Sequence, residues 1–143
     1  MSYATQQDMT DQFGEREVIA LTDRDNLGVL SAPVLASALA HAEALIDSHL
    51  VGRYTLPLVG SFPLLKYYAC DIARYALSGA DVTEVDTVRT RYKDAVRFLE
   101  AVRDGKIKLG ADNSGHAAAE PARISVVGSE RTFTSDSLAG FTG

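Results

Sequence analysis

Few stretches of this chain leave as little choice as Gly52 to Gly79, GRYTLPLVGSFPLLKYYACDIARYALSG. Its second half predicts one helix, because Ser61 can cap, Pro63 suits a first turn that needs no amide partner, and Gly79 offers a left-handed stop. At about 100° per residue, Leu65, Tyr68, Ala69, Ile72, Ala73, Tyr75 and Ala76 share one stripe, with Tyr67, Asp71 and Arg74 on the opposite side. The stripe must be covered by other parts of the chain. Ahead of it, Arg53 to Pro57 is expected to be an extended connector, since Pro57 disfavours helix at Leu56; Leu56 and Leu58 are its apolar anchors.

The flanking sequence supplies partners for that stripe. Ser31 is positioned to cap a long helix to Val51, with Pro33 in its first turn and Gly52 beyond its end. Leu35, Ala38, Leu39, Ala42, Leu45, Ile46, His49 and Leu50 line its apolar side, leaving Ser37, His41, Ala44 and Ser48 outward. After a linker from Gly79 to Val82, Thr83 and Asp86 form a capping-box pattern for a helix reaching Asp104 and stopped by Gly105. Its stripe is Val85, Val88, Tyr92, Ala95, Val96, Leu99 and Val102, widened by Phe98. Two short helices precede these three. Thr5 and Asp8 are spaced as a capping box for Thr5 to Phe13, ended by Gly14, and Glu15 to Thr22 can form another through Val18, Ile19 and Leu21. Helices this short are marginal alone and must dock, through Met9, Phe13 and Ile19. The expected fold class is therefore mainly α: a small bundle of three long helices plus two short N-terminal ones, within residues 1–110.

From Gly110 the composition changes. Residues 111–122 are rich in Ala, Gly, Asp and Ser without periodicity, which predicts a flexible linker. Residues 123–143 are expected to be an extended interaction tail able to form short strands, for Arg123 to Val127 and Thr132 to Thr134 suit extended backbone. Its apolar groups Ile124, Val126, Phe133, Leu138 and Phe141 have no obvious home in the bundle. Such a tail either stays disordered or binds a second chain by adding a strand and filling pockets.

Charge and cysteine usage narrow the function classes. A formal net charge of −5 over 143 residues argues against a surface built to neutralise phosphates. Lone Cys70 cannot form an internal disulfide, and the chain has no apolar run of about 18 residues and no signal-peptide pattern, so a cytosolic protein or a particle assembled there is expected, with no membrane partner.

Motifs with chemistry are few. Asp23, Asp25 and Gly28 match the first, third and sixth places of a calcium loop, but Leu27 and Val34 stand where the fifth-place and twelfth-place ligands belong, so an Asx-rich capping turn is the expectation. His49 has no second His or Cys at ligand spacing on its helix face, which predicts a partly buried imidazole near a helix C-terminus rather than a metal ligand. Gly105 to Gly110 lacks the order of a phosphate-binding loop. No catalytic residue, cofactor or metal is expected. Asp71 and Arg74, three apart on a helix, suit a surface pair or an interface contact better than an acid and an oxyanion clamp. Tyr67 on the same side, with Arg53 and Tyr54, is a candidate interface group, because Tyr and Arg are enriched at desolvated interface centres; a solvated face packed under a loop of the same chain is the competing reading.

Several plain motifs carry a resemblance in their order and spacing: Tyr3-Ala4-Thr5, Asp11-Gln12-Phe13-Gly14, Leu21-Thr22-Asp23, Ile46-Asp47-Ser48, Gly52-Arg53-Tyr54 with Leu56-Pro57, Cys70 to Tyr75, and Phe98-Leu99-Glu100. Over roughly residues 1–110 the chain resembles a family of small proteins encoded among the head and tail morphogenesis genes of Mu-like phages and prophages. It departs at His49, where an aromatic ring is expected, and in its tail. The resemblance implies a helical head–tail connector, an adaptor in the virion neck. Such a subunit would form a homo-oligomeric ring of about twelve copies between the portal protein and tail, stopper or terminator proteins, with DNA only as passing cargo. A small helical DNA-binding regulator, and an enzyme or metal-dependent module, are the alternative classes.

Overall fold

In the computed structural model, residues 2–79 and 87–110 are described. Five helices account for most of them: α1 (Gln6–Phe13), α2 (Glu15–Thr22), α3 (Ala32–Leu50), α4 (Pro63–Ser78) and α5 (Thr87–Arg103). The fold is mainly α, as the periodicity requires. The predicted capping box at Thr83 and Asp86, the linker and the tail lie outside the described residues.

The three long helices pack mutually, with α3 against α4 as the most extensive pairing and α5 against both. Their stripes face inward together: Leu35, Ala38, Ala42, Ile46 and Leu50 from α3, Leu65, Ala69, Ile72 and Ala73 from α4, and Ala95, Leu99 and Val102 from α5 are all buried. Both α3 and α4 place buried alanines four residues apart, Ala38 with Ala42 and Ala69 with Ala73, and short side chains in one row let two helix backbones approach closely. Aromatic pairs close the α4–α5 seam. Tyr68 and Phe98 are tilted at 4.7 Å between centroids, and Tyr75 stacks on Tyr92 at 4.1 Å.

The short helices complete the core. Thr5 Oγ1 accepts from the Asp8 amide at 3.3 Å while Asp8 Oδ2 accepts from the Thr5 amide at 2.9 Å, so the expected capping box is present. Gly14, at φ 88°, turns the chain between α1 and α2 in a region closed to most side chains. Met9 and Val18 are fully buried, and both helices lie on α4.

Three local expectations need correction. Ser61 does not cap α4; the cap position falls to Phe62, which makes no capping side-chain bond. Ser31 does occupy the cap position of α3, yet its hydroxyl does not bond the first turn; instead its amide donates to Thr22 Oγ1 at 3.3 Å, tying α3 to α2. The connector from Arg53 to Pro57 is turned rather than extended. The Arg53 and Tyr54 amides both donate to the Leu50 carbonyl at 2.9 Å, and the Leu56–Pro57 peptide is cis. Leu58 is nonetheless buried and Leu56 packs on the core, as anchors should. Among the described residues, no helix is long and apolar enough to cross a membrane.

Candidate interaction surface

The face of α4 opposite its core stripe carries the predicted site residues, and the structure lays α1 and α2 over most of it. Asp71 is 7% exposed, so its expected place on an outward side is corrected: Gln12 of α1 donates to its Oδ1 at 3.2 Å and Arg91 of α5 approaches to 3.8 Å. Burial raises its carboxyl above the ordinary value, against the opposing pull of Arg91, Arg74 and the Gln12 bond. Arg74 is likewise engaged within the chain. Its guanidinium pairs with Glu17 of α2 and lies over the Phe13 ring at 4.6 Å, while its buried Nε has no hydrogen-bond partner among the described residues. Lys66 reaches Asp8 at 2.9 Å, and that contact, with the Thr5 bonds, holds the Asp8 carboxyl down at about 2. Three charged contacts therefore seat the N-terminal pair on α4.

Arg53 and Tyr54 also turn inward. Tyr54 is buried and its hydroxyl accepts from the Leu109 amide at 3.3 Å, so it belongs to the core rather than to an interface. Half-buried Arg53 donates through Nη1 to the Val102 carbonyl at 3.4 Å, satisfying the end of α5 beside Gly105. Of the candidate interface residues within 1–110, only Tyr67 stands well exposed. Ile124, Val126, Phe133, Leu138 and Phe141 lie outside the described residues.

Two apolar features of the surface escape sequence periodicity, one because it sits in a loop and the other because it joins distant segments. One is the α2–α3 loop. Asp23 accepts from the Leu27 amide at 2.9 Å and the Gly28 amide at 2.6 Å, and Asn26 adopts a left-handed φ of 52°, giving the expected Asx-type turn. Those two amides hold the Asp23 carboxyl below its usual range. The turn leaves Leu27 71% and Val29 58% exposed. The other is a groove of about 150 Å³ between the start of α4 and the end of α5, lined by Phe62, Leu64, Phe98, Ile107 and Leu109 among others. An apolar residue inside an Asn/Asp/Gly turn, as Leu27 is, was the available signal for the first; the groove had none, since it joins residues far apart in sequence. His49 is partly buried with Nδ1 2.9 Å from the Leu45 carbonyl, as its helix position predicts.

Among the described residues the arrangement offers exposed apolar contact surfaces, and known proteins give it a context. The family described as "Bacteriophage Mu, Gp36" matches residues 3–127. "Gene product J" of Escherichia phage Mu is 34% identical over 142 residues, covering 99% of both chains. "Mu-like prophage FluMu protein gp36" of Haemophilus influenzae is 47% identical over 73 residues, 51% of this chain and 50% of that protein. A family match that spans all five helices, with a phage Mu relative aligned end to end, leads to one conclusion: the chain belongs to the bacteriophage Mu Gp36 family.

Proposed function

We propose that this chain is a structural protein of the virion, a head–tail connector subunit that forms a ring between portal and tail and does no catalysis of its own. The observation that carries the reading is the way charge and apolar surface are divided. The polar groups of the outer α4 face are used to hold α1 and α2, while Leu27, Val29, Leu64 and Tyr67 remain exposed on a subunit whose own core is closed. Exposed large apolar groups on a small folded unit favour contact with other chains. Membership of a family named for phage Mu, and the motif resemblance to proteins encoded among head and tail genes, support the neck as the place of those contacts.

A subunit that follows the portal's rotational symmetry makes head-to-tail contacts that close after about twelve copies. The genome would pass through its bore as cargo, and an excess of acidic side chains on that wall, in keeping with the charge of −5, would keep DNA mobile. Electron cryo-microscopy of assembled particles, with light scattering of the isolated chain, tests the reading. A ring at the head–tail junction with an acidic bore is expected. A closed two-fold dimer as the functional form would overturn the ring, and a continuous Lys and Arg band around the bore would overturn the passive channel.

A further inference from the structure

We propose that adjacent copies of this chain join by seating the α2–α3 loop of one copy, through Leu27 and Val29, in the groove between α4 and α5 of the next; this rests on the ring reading above. The loop is a preformed projection. Its Asp23 carboxylate holds the Leu27 and Gly28 amides, so Leu27, the most exposed large apolar side chain among the described residues, and Val29 are carried on a fixed turn rather than on a loose strand. A projection already in its bound shape loses little conformational freedom on docking.

The groove is its complement in polarity, with a net basic rim facing a net acidic loop. It is walled by Phe62, Leu64, Phe98, Ile107 and Leu109, with Leu64 52% and Ile107 36% exposed, and about 150 Å³ admits a branched aliphatic side chain. Lys108 and Lys106, the latter 3.5 Å from Asp104, flank Ile107, whereas Asp23, Arg24 and Asp25 leave the start of the loop with a net negative charge. Opposite charges beside the two apolar surfaces orient the encounter.

Position within the fold makes the contact run between copies. Arg24 of the loop lines a surface pocket with Ala76 and Leu77 at the C-terminal end of α4, while the groove is built on Phe62 and Leu64 at its N-terminal end. A helix of 16 residues separates the two features by about 24 Å, so a copy cannot fill its own groove with its own loop. Two different patches at opposite ends of one helix give a heterologous contact, the kind that builds rings rather than two-fold dimers.

The test is a full-length chain carrying Leu27→Cys and Ile107→Cys together, oxidised at high concentration and in assembled particles. A ladder of covalently linked multiples is expected on a non-reducing gel, with each single variant giving at most dimers; native Cys70 is buried and stays out of the reaction. Leu27→Asp should weaken self-association about tenfold or more, as loss of a buried leucine requires. Asp25→Lys should weaken it several-fold and be restored by Lys108→Asp on the same chain. Rings that form without the ladder, including rings whose groove is filled by residues 111–143, overturn this contact and leave the ring reading standing. A chain that stays monomeric both alone and in particles overturns both.

Discussion

Asp71 shows how one buried carboxylate contributes to the pH dependence of the fold. Desolvation raises it above 3.8 in spite of Arg91, Arg74 and Gln12, so folding favours its protonated form. That contribution is complete below 3.8 and is lost as pH rises through the folded value. Asp8 behaves oppositely: held at about 2, it contributes above 3.8 and its contribution disappears as pH falls toward 2. Asp71→Asn, which keeps an acceptor for Gln12, is expected to be at least as stable as the parent at pH 7, with the difference closing below 3.8. Urea midpoints at a series of pH values check this; a clear loss of stability at pH 7 would mean that the Arg contacts outweigh burial. Cys70, pushed up to about 12 chiefly by burial, should resist thiol reagents in the native state and react only as fast as the bundle opens, which labelling kinetics in low urea would measure.

The end of α5 depends on a close fit between two distant pieces of chain. Gly105 sits at φ 82°, and a Cβ there would run into Arg53 Nη1, the group that bonds the Val102 carbonyl. Gly105→Ala is therefore expected to cost about 1 kcal/mol or more, from the left-handed backbone and from displacement of Arg53. Because part of that cost is the clash, Arg53→Ala combined with Gly105→Ala should cost less than the two singly, a coupling visible in a double-mutant cycle by chemical denaturation. Simple additivity would place the whole effect in the backbone. In the first turn of α1, Thr5→Ala removes one half of the capping box and should destabilise by about 1 kcal/mol.

For the molecule as a whole, the core is closed by residues between Ala4 and Val102 together with the return of the chain to Leu109. Truncation after Gly110 is accordingly expected to leave helicity and Tm nearly unchanged while abolishing productive joining of heads to tails. Circular dichroism of the truncated chain, beside joining assays with Phe133→Ala and Phe141→Ala, separates the two effects. Each phenylalanine would contribute roughly 1.5–3 kcal/mol if buried against a partner. Full assembly by the truncated form, or collapse of its bundle, would overturn the division of labour between bundle and tail.

Repeating local patterns determined the five helices and their apolar stripes, because a 3.6-residue period and a cap such as Thr5 with Asp8 act within a few residues and need no knowledge of neighbours. The Asx turn at Asp23 was legible for the same reason. Tertiary structure decided what covers each outward face. Asp71 and Arg74 read as surface groups on α4 until α1 and α2 fold back over them, and Tyr54 reads as an interface aromatic until the chain after α5 returns to donate the Leu109 amide to its hydroxyl. The groove beside Phe98 has the same origin, since it joins the start of α4 to the chain after α5, segments brought together across a long stretch of sequence.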